Sequence, residues 1–483
     1  MKNNILYSQL SPQMKTSKVL TGLWQVADME RDGQEIDLEQ AAEALLPYLN
    51  AGLTTFDMAD HYGSAELIAG ILRKKAGPDQ VQLLTKWVPE PGKGSKEKVR
   101  KAIQRAQERL QMEQLDLLQY HAWNYADASW LDDLFWLKEL QEEGLIRHLG
   151  VTNFDTAHLN MALNCGIPLV TNQVCFSLLD QRAAAMMLDL CQKKGVKVLA
   201  FGTLAGGLLS EKFLGEKDRP ADQMANWSQM KYKRFIDTAG GWSIFQEMLQ
   251  ILQGIAKKHE ASISNIASKY ILQQEGVGGV IIGARPGKSS HLKDNLQLFQ
   301  FELDSADLGL IQQQLSQFIP IPGDCGDEYR KPPFLTASGD LSHHLEALPA
   351  PYEAIQVGKD RHKVLSGTIW EDLAGFSRAT RKGDRILVSG TTATHGTQLI
   401  GGDDPAAQAH FVIDKIEGAI QSLGGKLEDV VRTRVYIQRM EDWEAISRAH
   451  GQRFGHIQPA NTLIRVDLVG DGYLVEMEAE AEL

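Results

Sequence analysis

Cysteine is scarce in this chain of 483 residues, and its few cysteines are scattered. A zinc site or a disulfide framework needs clustered or regularly spaced cysteines, and no Cys-x-x-Cys pair occurs here. The spacing therefore predicts neither kind of site and favours a protein of the reducing cytoplasm. The four positions are Cys165, Cys175, Cys191 and Cys325.

The chain also lacks an excess of positive charge and any long apolar run. Its formal net charge is −12, which argues against a nucleic-acid partner, because phosphate backbones are bound by basic surfaces. A phosphate-bearing cofactor stays compatible with this charge, since it needs only a local basic pocket. No apolar stretch could span a bilayer, and the start, MKNNILYSQLSPQMKTSK, lacks the apolar core of a signal peptide. We expect a cytoplasmic protein with no membrane partner.

The chain is too long for one hydrophobic core, so two domains are expected. From Val19 to about Leu298, short apolar runs alternate with amphipathic stretches, several of which end at a glycine. Eight such units predict an α/β domain, a (β/α)8 TIM barrel within residues 1–320. The predicted strands are VLTGLW (19–24), TTFDM (54–58), VQLLTKW (81–87), LDLLQY (115–120), RHLGVT (147–152), LVTNQV (169–174), VKVLAF (196–201) and GVIIG (279–283).

A different pattern follows the barrel. Residues 321–360 are rich in proline, which predicts a linker. Residues 361–483 mix strand and helix patterns and predict a small α+β domain. In its last strand, YLVEMEAEAEL (473–483), apolar residues alternate with glutamates, so one face is buried and the other is wet or faces a partner.

Four polar residues follow apolar strand runs in the first domain: Asp57, Tyr62, Lys86 and His121. The C-terminal ends of parallel barrel strands converge on one mouth, where such enzymes carry out their chemistry. An isolated tyrosine, with a pKa of about 10, donates a proton reluctantly, whereas a neighbouring ammonium favours the phenolate. Taken singly, Asp57 could cap a helix, Lys86 could be solvated and His121 could be a core histidine. Their joint occurrence at strand ends predicts a proton-donating site.

These residues also carry a family resemblance. The motifs FDMADHYG, LLTKW and LLQYH resemble the active-site signatures of the aldo-keto reductase family. Supporting motifs occur in family order: GLWQ (22–25), GVTNF (150–154), TNQVCFS (171–177), LAFGTLAGGLLS (199–210) and IIGARPGKSSHLKDNL (281–296). The resemblance implies reversible interconversion of a carbonyl (aldehyde, ketone or aldose) and an alcohol. It also implies a nicotinamide dinucleotide without metal or flavin, with Asp57, Tyr62, Lys86 and His121 as the catalytic set.

The resemblance further implies how the cofactor is held. Thr152, Asn153 and Gln173 would hold the nicotinamide carboxamide, and Phe201 would stack on its ring. The segment from Gly202 to Leu208 would wrap the pyrophosphate. Arg285 would match a 2′-phosphate, which favours NADP(H) over NAD(H). The remaining implied contacts are Gly22, Leu23, Trp24, Asp57, Leu204, Gly206, Gly283, Ala284, His291 and Asn295.

Several aromatic residues are candidates for the substrate pocket. The longest interruption of the barrel pattern, residues 210–248, predicts an extended loop or accessory helix that shapes this pocket. The candidates are His61, Trp87, Trp123 and Trp227, for which a surface or core position is an equal alternative.

Residues from about 363 onward resemble the Rid family, also called YjgF, with RutC-like members. ILVSGTTA, LGGKLEDVVRTRVYI, QPANTLIRV and LVEMEAEAEL carry this resemblance. It implies a chorismate-mutase-like fold, a homotrimer, and hydrolysis of enamines or imines. Asn461 stands where deaminating members have an arginine, and a neutral amide cannot grip a carboxylate, whereas Glu476 occupies the position of the family's acidic residue.

The sequence is compatible with three functions. The leading interpretation is an NADP(H)-dependent reductase of small carbonyl compounds whose Rid-like domain serves oligomerisation or ligand binding. A bifunctional enzyme would also hydrolyse an imine and pass the carbonyl to the barrel. A redox-sensing, ligand-binding protein is the third, although a sensor has no need of an acid at Tyr62 with a paired Lys86.

Overall fold

The computed structural model describes residues 7–31, 33, 35–336 and 348–483. Eight parallel strands close into a barrel in chain order, with the last strand pairing the first. The prediction of a (β/α)8 barrel is confirmed. Its strands are β3 (Val19–Gly22), β4 (Thr55–Asp57), β5 (Gln82–Trp87), β6 (Leu115–His121), β7 (Ile146–Thr152), β8 (Leu169–Cys175), β9 (Lys197–Phe201) and β10 (Val277–Gly283).

A hairpin that the sequence patterns did not predict precedes the barrel. Its strands are β1 (Tyr7–Ser11) and β2 (Met14–Ser17), paired antiparallel. Leu10 and Met14 pack with Leu20, Leu117 and other buried strand residues. The hairpin therefore contributes to the barrel core.

Amphipathic helices surround the barrel, and several begin with a side-chain cap. The Ser95 side chain accepts the Lys98 N–H, and a reciprocal capping box joins Ser262 and Asn265. The helices are α1 (Trp24–Arg31), α2 (Leu38–Asn50), α3 (Ala65–Ala76), α4 (Lys96–Leu110), α5 (Ser129–Glu142), α6 (Thr156–Asn164), α7 (Met186–Lys194), α8 (Trp227–Thr238), α9 (Trp242–Lys258), α10 (Ile263–Leu272), α11 (Leu292–Gln297) and α12 (Ser305–Leu315).

The proline-rich interval 321–360 contains regular structure at both ends. Helix α13 (Asp327–Arg330) lies near its start and strand β11 (Ala354–Gln356) near its end. Residues 337–347 of the predicted linker lie outside the described residues. Strand β11 pairs with β12 (Arg361–Val364), so the interval leads directly into the second sheet.

The C-terminal domain is a seven-stranded sheet covered by helices, as the α+β prediction requires. The strands follow the order β11, β12, β13 (Ala379–Lys382), β14 (Arg385–Thr392), β19 (Val475–Glu482), β17 (Val430–Ile437) and β18 (Ala460–Arg465), and β17 pairs with β18 in parallel. Val475, Met477 and Ala479 of β19 are buried. The further elements are β13 (Ala379–Lys382), α14 (Ile369–Ala374), β14 (Arg385–Thr392), β15 (Thr394–His395), β16 (Gln398–Leu399), α15 (Pro405–Ser422), β17 (Val430–Ile437), α16 (Trp443–Phe454), β18 (Ala460–Arg465) and β19 (Val475–Glu482).

The two domains meet through buried charges, which we call the interdomain cluster: Asp155, His158, Asp414 and Arg453. His158 of α6 contacts Asp155 at 2.7 Å and Asp414 of α15 at 2.8 Å. Arg453 of α16 pairs with the other oxygen of Asp414. Burial alone would lower the pKa of His158, but the two carboxylates outweigh it and raise this pKa to about 9. His158 is therefore an imidazolium that joins a barrel helix to the second domain.

Candidate active site

The four strand-end residues lie together at the mouth of the barrel, and we call them the barrel-mouth cluster: Asp57, Tyr62, Lys86 and His121. Asp57 ends β4, Lys86 lies on β5 and His121 ends β6. Parallel pairing in register brings these ends to the same edge of the sheet. They line one cavity of about 710 Å³.

Lys86 is held by two oxygen atoms. Its Nζ donates to Asp57 Oδ2 at 2.7 Å and to the carbonyl of Met58 at 2.8 Å. Both side chains of the ion pair are 4% exposed. Burial lowers the pKa of Lys86, and the charge of Asp57 opposes that shift. The carboxylate therefore fixes the position of the amine and supports its charged form.

The Lys86 ammonium lies beside Tyr62, with Nζ 5.0 Å from the centroid of the ring. The phenol and the ammonium thus share one compartment. His121 is buried, and burial together with the charge of Arg330 lowers its pKa well below the usual value. A neutral imidazole keeps one N–H donor, which suits it to orient a carbonyl oxygen.

Gln119, which sequence reasoning missed, completes the support of Asp57. Its Nε2 donates to Asp57 Oδ1 at 3.2 Å, and Gln173 donates to the same oxygen at 2.7 Å. Gln173 also donates to Gln119 Oε1 at 3.1 Å. The sequence signal for Gln119 was an amide side chain within the mostly apolar strand segment LLQYH. Two amides and one ammonium therefore fix the Asp57 carboxylate.

Most of the residues assigned to the cofactor line the same cavity, and three do not. Leu23, Leu208 and Ala284 are buried in the core and are absent from the cavity wall among the described residues. Those that line it are Gly22, Trp24, Asp57, Thr152, Asn153, Gln173, Phe201, Gly202, Leu204, Gly206, Gly283, Arg285, His291 and Asn295.

The wall fits a dinucleotide. In the described part of the chain, Asn153 Oδ1 is buried without a hydrogen-bond partner, so it can serve a polar ligand. Gly206 has φ 66°, and a Cβ there would approach the backbone of Ser228. Glycine at this position therefore allows the loop to pack directly against Ser228 with a left-handed φ. Arg285 donates from Nε to Gln25 Oε1 at 3.0 Å.

The predicted substrate-pocket aromatics divide into two groups. His61 and Trp123 line the cavity. Trp87 and Trp227 are not among the described residues of its wall, and Trp87 packs against Tyr120 with ring centroids 5.5 Å apart.

Lys231 and Tyr329 also line the cavity, and neither belongs to a motif recognised in the sequence. Lys231 lies on α8, inside the interval predicted as an extended loop or accessory helix, and Tyr329 lies on α13. Lys231 Nζ donates to Tyr329 Oη at 2.6 Å. The only sequence signal was the aromatic and basic composition of the segment around α8.

The two candidate ligand residues of the C-terminal domain lie apart within one chain. Asn461 is in register with Thr433 and donates to its Oγ1 at 2.9 Å. Thr433 is buried, on the face of the sheet that Ala479 shares. Glu476 alternates to the opposite face, and burial raises its pKa while Arg378 opposes that rise. A single subunit therefore does not bring Asn461 and Glu476 together.

Two further features are absent from the described residues. No group of three or more His, Cys, Asp or Glu side chains there could hold a metal ion. No helix within the described ranges combines the length and the apolarity that crossing a membrane requires.

The sequence matches two family models. Residues 18–315 match the aldo/keto reductase family, and residues 370–483 match the model described as endoribonuclease L-PSP, which represents the Rid/YjgF family. The first match covers the whole barrel and the second covers most of the C-terminal domain.

Individual proteins agree with these matches. Aldo-keto reductase YhdN of Bacillus subtilis is 25% identical over 334 residues, which is 66% of this chain and 96% of that protein. An uncharacterized protein of Streptomyces coelicolor is 39% identical over 120 residues, which is 25% of this chain and 90% of that protein.

A solved structure gives the same fold. The aldo/keto reductase of Klebsiella pneumoniae in complex with NADP and acetate superimposes with a TM-score of 0.50 at 20% identity, covering 66% of this chain and 97% of that one. With its closed eight-stranded barrel, its polar mouth and a family match over more than half its length, the chain belongs to the aldo/keto reductase family, and its barrel is followed by a Rid-family domain.

Proposed function

We propose that the barrel catalyses the NADP(H)-dependent interconversion of a carbonyl compound (an aldehyde, a ketone or an aldose) and its alcohol. Tyr62 donates the proton that the carbonyl oxygen takes up, and it accepts that proton in the reverse direction. The observation that supports this role most strongly is the ammonium of Lys86, 5.0 Å from the Tyr62 ring and bonded to Asp57.

The other residues of the barrel-mouth cluster act around this proton transfer. The Lys86 charge stabilises the phenolate that Tyr62 becomes when it gives up its proton. Asp57 holds Lys86 in place, and Gln119 and Gln173 hold Asp57. Neutral His121 donates a hydrogen bond to the carbonyl oxygen and orients it. The phenolate then recovers a proton from water.

The cofactor contributes the second half of the reaction, because bound NADPH supplies a hydride to the carbonyl carbon. Thr152 and Asn153 would meet its carboxamide and Phe201 its ring, and the backbone from Gly202 to Gly206 would face its pyrophosphate. Arg285, which is half-buried on the cavity wall, would pair with a 2′-phosphate. Arg285 on the cavity wall is the observation that supports NADP(H) over NAD(H).

A Tyr62→Phe variant tests the assignment of the acid. With NADPH and a panel of aldehydes, ketones and aldoses, we expect kcat to fall roughly 100- to 10,000-fold, the usual contribution of general acid catalysis. NADPH binding, followed by fluorescence, should stay close to wild type. The control is Tyr270→Phe, which removes a buried hydroxyl outside the cavity. Full turnover by Tyr62→Phe would show that another group is the acid.

For the C-terminal domain we propose an assembly role in a cytoplasmic homo-oligomer, with a trimer favoured by the Rid resemblance. Leu387 and Ile464 are 47% and 46% exposed on the sheet face that also carries the outward glutamates of β19. Such apolar side chains suit a subunit interface. The second candidate, hydrolysis of imines or enamines, draws support from the raised pKa of Glu476.

The size of the full chain in solution tests the assembly role. Light scattering should give a trimer for wild type and a smaller species for Ile464→Asp. The control is Val469→Asp, which places the same charge at an exposed site outside the strands. A wild-type monomer would reject the assembly role, and ammonia release from an imine by such a monomer would favour the hydrolase.

A further inference from the structure

A segment that follows α12 contacts the mouth of the barrel, and we call residues 324–330 the closing segment. After β7, the Thr156 N–H donates to Asp324 Oδ2 at 2.9 Å. After β8, the Arg182 guanidinium donates to the carbonyl of Asp324 and to Glu328 Oε2, each at 2.8 Å. The closing segment is therefore bonded to the chain that follows two neighbouring barrel strands.

A third contact joins the closing segment to the end of β6, next to His121. Arg330 donates from Nε and Nη2 to the carbonyl of Ala122 at 3.0 and 2.8 Å, and Ala122 directly follows His121. The guanidinium also lies over the Tyr125 ring, 4.4 Å from its centroid. Because the N–H groups of a guanidinium form a rigid planar fork, two of them on one carbonyl restrict the orientation of that carbonyl. The pair of bonds thus limits how far the backbone beside His121 can move.

The guanidinium holds this position at some loss of stability. In the described part of the chain, Arg330 Nη1 is buried without a hydrogen-bond partner. A buried N–H that lacks a partner is destabilising, whereas a neutral side chain with a single donor could satisfy the Ala122 carbonyl without that loss. A buried polar group of this kind calls for an explanation beyond packing, and the positive charge is the property that a neutral donor would not supply.

The charge of Arg330 acts on His121. Burial is the largest cause that lowers the pKa of His121, the charge of Arg330 lowers it further, and His61 adds to this effect, whereas the Thr152 backbone raises it. The Tyr329 ring meets the imidazole edge to face, with centroids 5.8 Å apart. The other titratable residues of the barrel-mouth cluster share the cavity with His121: Asp57, Tyr62 and Lys86.

We propose that Arg330 is a positioning residue for carbonyl reduction, which fixes the backbone next to His121 and keeps the imidazole uncharged. Arg330 is not among the described residues of the cavity wall, so it acts through His121 and without contact to the substrate. An imidazolium is a stronger acid than a phenol and would compete with Tyr62 as the proton donor. This proposal rests on the proposed reductase function and adds the residue that sets the state of His121.

Two substitutions separate the charge of Arg330 from its hydrogen bonds. Arg330→Gln keeps an N–H donor and removes the charge, whereas Arg330→Lys keeps the charge and loses the paired contact. The pKa of His121 is followed by NMR in protein labelled at histidine, with the ring resonance assigned by its absence in His121→Asn. In Arg330→Gln this pKa should rise by about 1 unit, the lower end of the effect of a nearby charge. In Arg330→Lys it should stay close to that of wild type.

Steady-state kinetics at saturating NADPH gives a second readout. We expect kcat to fall about 10- to 100-fold in both variants, because a displaced orienting group misaligns the carbonyl, with NADPH binding close to wild type. The control is Lys331→Met, which removes the next cation along the chain, an exposed lysine 3.4 Å from Asp327. It should leave both the pKa of His121 and kcat unchanged.

The same titration of His121 in wild type and Arg330→Gln would overturn the proposal, as would equal responses of Arg330→Gln and Lys331→Met. A variant that has lost NADPH binding counts as unfolded. If Arg330→Gln unfolds, Arg330→Lys decides through kcat, and a wild-type kcat would then overturn the proposal. If no carbonyl compound is turned over by wild type, the reductase function fails, and the NMR titration still shows whether Arg330 controls the charge of His121.

Discussion

The barrel-mouth cluster and the interdomain cluster are both built on a buried cation bonded to a carboxylate. Lys86 lies 2.7 Å from Asp57, and His158 lies 2.8 Å from Asp414. In the first, burial lowers the pKa of the lysine, and one side of the pair opens on a cavity of about 710 Å³. In the second, two carboxylates raise the pKa of the histidine to about 9.

The difference lies in how the charges are balanced. The barrel-mouth cluster holds its cation next to a phenol, with neutral amides as the further support of Asp57. The interdomain cluster surrounds its imidazolium with two carboxylates, and Arg453 links Asp414 to a further carboxylate, Glu417. A cation whose charge acts on a phenol can take part in catalysis. Charges that are paired with one another hold the two domains together.

The same substitution in each cluster should therefore have different consequences. For Asp57→Asn we expect kcat for carbonyl reduction to fall roughly 100-fold or more. Without the carboxylate, only the charges of Asp60 and Glu66 oppose the lowering of the Lys86 pKa by burial, so the charged form beside Tyr62 is less favoured. Steady-state kinetics with NADPH measures the effect. A rate near that of wild type would remove Asp57 from the mechanism.

Asp414→Asn should act on stability. Breaking a buried ion pair typically costs about 3–5 kcal/mol, because His158 and Arg453 would lose a shared carboxylate. Differential scanning calorimetry should show a clear drop in the temperature of domain separation or unfolding, with kcat at low temperature little changed. The control is Asp189→Asn, which alters an exposed ion pair. Equal unfolding temperatures for Asp414→Asn and Asp189→Asn would contradict the interdomain role.

The pH dependence of stability distinguishes the clusters further. Histidine has a pKa near 6.5 when unfolded, and His158 has one of about 9 in the fold. The contribution of His158 to the free energy of unfolding is complete below about pH 6.5 and is lost as the pH rises to about 9. Between these pH values only the folded state keeps the proton on His158. His158 by itself should lower the free energy of unfolding by up to about 1.4 kcal/mol per pH unit in this window.

One neighbouring group acts in the opposite direction. Burial lowers the pKa of Lys415, next to Asp414 on α15, to about 7, so above about pH 7 the unfolded chain keeps a proton that the fold has lost and stability rises with pH. Burial lowers the pKa of His410 to about 4, and the pKa values of Asp155 and Asp414 lie below their usual values, so these three groups do not titrate between pH 6.5 and 9. The contribution of His158 is therefore measured as the difference in slope between wild type and His158→Gln, and an equal slope in the two proteins would reject the assignment.

The smallest expected effect concerns Arg285, a cation that forms no ion pair within the described part of the chain. Such a guanidinium can receive an external phosphate. Arg285→Ala should weaken NADPH binding about 10-fold, or roughly 1.4 kcal/mol, and NADH binding much less. Fluorescence titration with both cofactors measures this. Equal losses would count against a 2′-phosphate at this position.

Sequence reasoning predicted the barrel because each unit carries its own local signals. An apolar run, a polar residue at its end and a helix closed by a glycine recur in order, and parallel pairing then brings Asp57, Lys86 and His121 to one edge. The C-terminal sheet was predictable for the same reason, from the alternation in β19.

Contacts between distant segments were not predictable. His158 and Asp414 are 256 residues apart, and Lys231 and Tyr329 are 98 apart. Tyr329 belongs to an interval whose prolines indicated a linker, yet α13 places it in the cavity. Leu23, Leu208 and Ala284 were assigned by motif position, and only packing reveals that their side chains lie in the core.

The central claim is that an ammonium close to Tyr62 makes its hydroxyl an effective acid, and the pH profile of kcat/KM for carbonyl reduction in wild type and Lys86→Met tests it most directly. The account predicts a large loss of rate in Lys86→Met and a high-pH decline that moves to higher pH, because the phenol becomes less acidic without the neighbouring charge. A decline at the same pH in both proteins, or an undiminished rate in the variant, would contradict it.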